Sequence, residues 1–93
     1  MYPTKNSLPE KLRIQVCGML QGHLANSLDL TTQVKQAHWN VKGPSFIALH
    51  ELFDKVAGQS LVYSDLIAER IIQLGGTAEG TLKVAAKRSQ LPE

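Results

Sequence analysis

The sequence has little of what marks a secreted, membrane-spanning or strongly nucleic-acid-binding protein. Its one cysteine, Cys17, cannot form a disulfide within the chain and favours a reducing compartment. The formal net charge of +2 is too small to require a nucleic-acid partner. No apolar run approaches the ~20 residues of a membrane span, and residues 1–6 lack the apolar core of a signal peptide. We therefore expect a cytoplasmic protein with no membrane partner.

Strand signals, repeats and low-complexity tracts are also absent, whereas apolar residues recur at helical spacing. A first helix is predicted at about residues 8–40, with Ser7 as its cap, Glu10 completing a capping box and Pro9 in the first turn. It must end before Pro44, because residues preceding proline avoid the α region. Its apolar face comprises Leu12, Val16, Met19, Leu20, Leu24, Leu28, Thr31 and Val34.

A second helix is predicted at about residues 45–74, after a turn at Gly43–Pro44 and before a stop at Gly75–Gly76. A short third helix is expected at about residues 81–88. The apolar stripe of the second helix comprises Leu49, Leu52, Phe53, Val56, Tyr63, Ile67, Ile71 and Leu74. The fold class is therefore all-α, an antiparallel helical hairpin.

A hairpin of this kind is half a structure. Two helices cannot cover each other's apolar stripes, so a second pair is needed to complete a four-helix bundle. We expect that pair to come from another chain or from sequence absent here. The 93 residues themselves form one domain at most.

Five side chains have the chemistry of metal ligands: His38, His50, Asp54, Asp65 and Glu69. Singly, each is most simply a packed histidine or an acid on a solvated helix face. On the second helix, however, Asp54, Asp65 and Glu69 lie at about 40°, 60° and 100° from His50. The positions between them are small or apolar rather than basic, namely Ala57, Gly58, Leu61, Ala68 and Ile72. This pattern predicts a second buried interface, in which the acids need a metal ion as partner.

The two histidines are each six residues from Pro44, so they are expected at the same height across the hairpin. Asp54 and Asp65, in contrast, are separated by a helical rise of about 16 Å, whereas metal–ligand bonds are only about 2 Å long. A two-fold related copy running antiparallel would bring the second half-site to the first. Two identical sites per dimer are therefore predicted.

Two imidazoles and three carboxylates without a thiolate suit Fe(II), although zinc or manganese can use the same ligands. Five side chains can hold one metal firmly and leave carboxylates to bridge to a second, which makes a di-iron centre an open alternative. Unfilled coordination positions would admit dioxygen or peroxide. The Glu-x-x-His signature of di-iron bundles is absent, which argues against a site within one bundle.

These residues resemble the Dps family of mini-ferritins over most of the chain, from about Leu8 to Arg88. The matching motifs are Lys35–Pro44, Phe46, Leu49–Glu51, Asp54, Asp65–Arg70 and Leu74–Gly76. The resemblance implies half of a ferritin-like four-helix bundle. It also implies a ferroxidase centre in which His38, His50 and Asp54 of one subunit meet Asp65 and Glu69 of its two-fold mate.

The resemblance further implies oxidation of Fe(II), commonly with hydrogen peroxide, storage of ferric mineral in a twelve-subunit cage, and protection from oxidative stress. Many members of the family also bind DNA. Trp39 stands at the family's tryptophan position, where it either intercepts oxidising equivalents or packs. Members continue beyond the position of Glu93 through a crossover and two further helices, so we expect a truncated domain.

Two rival hypotheses remain open: a DNA-coating protein with incidental metal affinity, and an inactive fragment that associates only through its apolar stripe. His23 and Glu51 are accessory ligand candidates, for which a surface position is the default expectation.

Overall fold

A computed structural model describes residues 1–93, which form three helices and no strand. Helix α1 spans Glu10–Asn40, α2 spans Phe46–Gln73 and α3 spans Leu82–Arg88. The long helices α1 and α2 form an antiparallel hairpin, and α3 packs back against α1. The molecule is elongated, with extents of 55 × 23 × 16 Å. The predicted all-α helical hairpin is confirmed. None of the helices combines the length and apolar character that crossing a membrane requires.

The predicted capping box at the start of α1 is wrong. The residue before the helix is Pro9, whose backbone is extended, and no side chain caps the first turn. Asn6 forms a local turn instead, because its Oδ1 accepts a hydrogen bond from the backbone N–H of Leu8 at 2.9 Å. The helix therefore begins at Glu10, two residues later than expected.

Glycines shape both ends of α2. Gly43 adopts a φ of 104° in the turn before the helix, and its carbonyl accepts a hydrogen bond from Phe46 N at 3.1 Å. After the helix, Gly75 has a φ of 91°. The amides of Gly75 and Gly76 donate back to Ile72 O and Ile71 O at 3.0 and 2.9 Å, the hydrogen-bond pattern of a Schellman cap.

The stripe predicted for α2 is only partly the one that faces α1. Ile71 and Leu74 are buried as expected. Leu49, Leu52 and Tyr63 are at least 36% exposed, however, as is Val56. The other side chains that α2 buries are small, namely Ala57, Ser60 and Ser64.

Hydroxyl groups link the two long helices at mid-length. Ser27 Oγ and Ser64 Oγ are 2.7 Å apart, and Thr31 Oγ1 donates to Ser60 Oγ at 2.9 Å. Ser60 Oγ in turn donates to the carbonyl of Ser27 at 3.1 Å. Because these side chains are short, the helices approach closely, and because the hydroxyls pair with one another, none is left unsatisfied.

The chain on either side of the hairpin is tied to it by polar contacts. The N-terminal segment donates to carbonyls at and just after the end of α2, through Tyr2 N to Gly75 O (2.8 Å) and Thr4 Oγ1 to Gln73 O (2.7 Å). Arg13 Nη1 of α1 donates to the neighbouring Leu74 O at 3.0 Å. At the other end, Asp29 on α1 accepts from Ser89 Oγ at 2.6 Å and from Gln33 Nε2 at 3.2 Å. These hydrogen bonds, that from Ser89 above all, lower the pKa of Asp29.

Candidate metal centre

The two histidines meet at the turn end of the hairpin. His38 comes from the last turn of α1 and His50 from the first turns of α2. Their rings stack with centroids 3.7 Å apart and planes inclined by 22°. Phe46 stacks on His50 at 5.0 Å, so the His50 ring has two aromatic neighbours.

Reciprocal hydrogen bonds show which ring nitrogen of each histidine carries a hydrogen. His38 Nδ1 lies 2.5 Å from the carbonyl oxygen of His50, and His50 Nδ1 lies 2.8 Å from that of His38. A carbonyl oxygen only accepts, so each Nδ1 must carry the hydrogen. A neutral imidazole with Nδ1–H keeps a lone pair on Nε2, and ligating histidines are commonly oriented by such a bond from the other ring nitrogen. Both side chains are therefore prepared to ligate through Nε2.

Asp54 lies beside this pair and is ionised. Its Oδ1 is 3.9 Å from His38 Nε2 and 2.5 Å from the ammonium of Lys35. The hydrogen bond from Lys35, followed by the positive charge of that residue, holds the pKa of the Asp54 carboxyl below its usual value. The structure thus brings His38, His50 and Asp54 to one end of the hairpin.

Asp65 and Glu69 lie elsewhere on α2 and are exposed. Neither carboxylate forms an ion pair within the chain. The helix is continuous across Asp54 and Asp65, so they are separated by a rise of about 16 Å along its axis. Within one chain, no three His, Cys, Asp or Glu side chains converge closely enough to hold a metal ion.

The surface around the acids of α2 is apolar in the isolated chain. Leu61 is 53% exposed and Ile72 is 58% exposed. Ala57, which we placed on this surface, is instead buried against α1 at 2% exposure. Apolar side chains flanking unpaired carboxylates remain consistent with a face that a partner covers.

Lys35 is the one residue at this centre that sequence analysis missed. It stands one turn before His38 on α1, at a spacing that places two side chains on the same helix face. That spacing was visible in the sequence. Its contact with Asp54 was not, because it depends on the rotation of α1 against α2.

Comparison with known proteins gives a consistent family. A family model described as the ferritin-like domain of ferritin matches residues 17–93. The chain is 48% identical over 90 residues to the DNA protection during starvation protein of Agrobacterium fabrum, covering 97% of this chain and 56% of the relative. The chain spans about half the length of the curated relatives it matches.

Solved structures agree with this result. Mycobacterium smegmatis Dps superposes with a TM-score of 0.92 at 35% identity, over 99% of this chain and 53% of that one. A Dps protein from Vibrio cholerae O1, described as a member of a broad superfamily of ferritin-like diiron-carboxylate proteins, gives 0.93 at 25% identity. That match covers 100% of this chain and 58% of the other.

Proposed function

Because the chain belongs to the Dps family of ferritin-like proteins, we propose that it is the site-bearing half of a cytoplasmic ferroxidase. Its substrate is Fe(II), which it binds at a centre shared by two subunits and oxidises with hydrogen peroxide or dioxygen. Oxidation serves iron sequestration and protection from oxidative stress. His38, His50 and Asp54 act with Asp65 and Glu69 of a second copy.

The observation that carries this proposal is the reciprocal pairing of the two histidines. Their Nδ1–H groups are committed to backbone carbonyls, which leaves Nε2 of each ring available to a metal ion, and Nε2 of His38 lies 3.9 Å from Oδ1 of the ionised Asp54. Two neutral imidazoles with carboxylates form a donor set suited to Fe(II), which zinc or manganese can also occupy.

The partner's role follows from the unpaired acids of α2. Asp65 and Glu69 are too far from Asp54 to join it within one chain, and they stand among exposed apolar residues. A two-fold interface over this face would supply both carboxylates to the neighbour's histidines and generate two centres. Each peroxide then accepts two electrons from two Fe(II) ions and two protons, leaving two Fe(III) and two waters.

The descriptions of two relatives also support the proposed function. The Vibrio cholerae protein is described as ferritin-like and diiron-carboxylate, and the Agrobacterium fabrum protein is named for DNA protection during starvation. We favour iron oxidation over DNA coating as the activity of this chain, because its net charge is only +2. A twelve-subunit cage with a mineral store would belong to the family's full length.

Removing the histidines tests the centre directly. We expect the double variant His38→Ala/His50→Ala to lose rapid Fe(II) oxidation, followed by absorbance of the ferric product, while its helical circular dichroism persists. His23→Ala is the matched control, since that histidine is exposed on α1 and apart from the pair. Oxidation by the double variant at the parent rate would refute the assignment.

Mixing two inactive variants tests whether the centre is shared. One variant lacks the histidines, and the other is Asp65→Asn/Glu69→Gln. In a mixed dimer, one of the two centres receives intact residues from both chains, so random reassortment should restore about a quarter of the parent rate. A mixture as inactive as its components would show that the two half-sites do not meet across an interface.

A further inference from the structure

The ligands that α2 supplies to the proposed centre are placed symmetrically along the helix. His50 and Glu69 have the same midpoint as Asp54 and Asp65, namely the point between residues 59 and 60. A second copy that runs antiparallel and brings its Asp65 to Asp54 must therefore also bring its Glu69 to His50. The two-fold axis that relates the two copies then passes beside this midpoint.

Two residues on the same face of α2 flank the midpoint itself. Gly58 lies one turn after Asp54, and Leu61 lies one turn before Asp65. Nothing lies within 4 Å of a Cβ added at Gly58, so the surface has an open depression there. Leu61, in contrast, is a large side chain with an exposure of 53%. Because Gly58 and Leu61 have the same midpoint as the ligands, the leucine of each copy faces the glycine of the other.

We propose that Gly58 and Leu61 pack reciprocally across the two-fold axis, and that this contact sets the register in which the two half-sites meet. The inference rests on the proposed function, because it concerns how the shared centre is assembled. Glycine leaves the space that the leucine fills, and it lets the two helix backbones approach closely. Neither side chain has a polar atom, so both are positioning residues and not ligands.

Ile47 and Ile72 extend the same symmetry to the ends of this face. They share the midpoint of the other pairs, and they are 61% and 58% exposed. In this register, Ile47 of each copy meets Ile72 of the other. Apolar contacts then lie on both sides of each proposed centre, where they exclude water from the ligands.

Neighbouring registers lack this agreement. A shift of one turn, about 6 Å along the axis, places Leu61 against Asp54 of the second copy in one direction and Ile72 against its Glu51 in the other. Each of these pairs sets an apolar side chain against a carboxylate, which desolvates the charge without a partner. The register that joins the ligands is therefore also the one that buries the apolar residues of the face.

Cross-linking in the presence of EDTA tests the register without metal or turnover. In a Cys17→Ser background, chains with Ile47→Cys are mixed with chains with Ile72→Cys, oxidised with diamide and separated on a non-reducing gel. We expect disulfide-linked dimers in the mixture and none from either variant alone, because identical positions lie about 37 Å apart along the axis. Ile47→Cys mixed with Ala68→Cys is the matched control, one turn out of register, and should cross-link poorly.

Further substitutions in the same mixture test the contact at the axis. Gly58→Leu fills the depression and should lower the yield of cross-linked dimer by about fivefold or more. Gly58→Leu/Leu61→Gly exchanges the two residues and should recover most of that yield, since leucine again faces glycine. Gly18→Leu is the matched control, because a Cβ added there on α1 also meets open space, and it should leave the yield unchanged. Circular dichroism shows whether each variant remains helical.

The outcomes separate this inference from the proposed function. A yield indifferent to Gly58→Leu, or no recovery in the exchanged variant, would overturn the contact at the axis and leave the interface standing. Self-cross-linking of Ile47→Cys, or a higher yield with Ala68→Cys, would overturn the register. If the mixture did not cross-link while mixed inactive variants still recovered oxidation, the centre would be shared but assembled in another register. Failure of both would refute the shared centre itself.

Discussion

At the scale of single residues, Asp29 ties the C-terminal segment to α1 in a way that depends on ionisation. Hydrogen bonds from Ser89 and then Gln33 stabilise its charged form and lower its pKa from 3.8. A carboxyl with a depressed folded-state pKa contributes stability above its unfolded-state pKa, and that contribution is lost as the pH falls through the folded-state value.

We therefore expect wild type to be more stable than Asp29→Asn near neutral pH, with the difference shrinking as the pH falls below 3.8. Urea unfolding across this range measures it. Ser89→Ala removes the largest cause of the shift, so in that variant the loss of stability should be smaller and should be complete at a higher pH. A wild-type advantage that grew on acidification would contradict the assignment.

Gly75 is a second residue whose identity matters, because of both its backbone and its surroundings. Its φ is 91°, and an added Cβ would lie 2.6 Å from Tyr2 O and 2.9 Å from Arg13 Nη1. We expect Gly75→Ala to lower the free energy of unfolding by about 1–3 kcal/mol.

Gly18→Ala is the matched control for that change. Gly18 lies inside α1 with no atom within 4 Å of an added Cβ, so alanine there should stabilise the protein by about 0.5–1 kcal/mol. Denaturant melts of both variants would show opposite signs. Equal effects would mean that the conformation at Gly75 is not the cause.

Most of the candidate centre could be predicted from the identity and spacing of single residues. Histidines equidistant from Pro44 predicted the contact between His38 and His50, because an antiparallel hairpin equalises their heights. Lys35 was missed because helix rotation cannot be read from spacing. The predicted capping box was wrong because α1 begins at Glu10, so that Pro9 rather than Ser7 precedes its first turn.

At the scale of elements, the α2 stripe shows what periodicity can and cannot tell. Apolar spacing identifies every face that a helix turns away from water, without saying which neighbour covers which face. Tyr63 and Leu52 are exposed in the hairpin because the contact with α1 runs through small residues instead. Ser60 and Ser64, which apolar spacing does not single out, are consequently part of the interface.

The pairing of Ser27 with Ser64 across that interface gives a prediction for the hairpin. Each single alanine variant leaves a hydroxyl without its 2.7 Å partner, so each should cost about 1 kcal/mol of stability. The double variant removes both groups and should cost less than the sum of the two, by about 0.5 kcal/mol or more. A double-mutant cycle from urea melts measures this coupling.

Strict additivity in that cycle would indicate that the serines contribute separately rather than to each other. Thr32→Ala provides a comparison, because the hydroxyl of Thr32 bonds only within α1, to the carbonyl of Asp29. We expect its coupling to Ser64→Ala to be close to zero.

At the scale of the whole molecule, the hairpin exposes more surface than a compact protein of its size. Its accessible area is 6754 Å², whereas a typical monomer of 10.2 kDa has about 5,300 Å². The excess of roughly 1,400 Å² is larger than the ~800 Å² that each partner contributes to a standard interface. The hairpin therefore has enough uncovered surface for a substantial interface.

We expect the chain to self-associate, and its melting temperature to rise with protein concentration, since partners that bind only the folded state stabilise it by mass action. Sedimentation equilibrium with matched thermal melts measures both. Tyr63→Lys places a charge at an exposed apolar position of α2, so it should weaken association more than the charge reversal Lys55→Glu does. A chain that stayed monomeric with a concentration-independent melting temperature would contradict this.

The fold at this scale followed from the sequence because proline and glycine punctuate two long periodic segments. The packing partners of those segments did not follow, because periodicity carries no information about which chain supplies them. The separation of Asp54 from Asp65 is the exception, since helical rise alone shows that the two acids cannot share an ion within one chain.

The stacked histidines have a kinetic consequence. The ring centroids are 3.7 Å apart and each Nδ1 is held by the other residue's carbonyl, so neither imidazole ring can flip without displacing the other. Their ring motions should be correlated, and the nuclear resonances of both side chains should broaden together on warming. Replacing either ring would allow the remaining ring to reorient faster. A single histidine would therefore contribute less than half of what the pair contributes to metal binding.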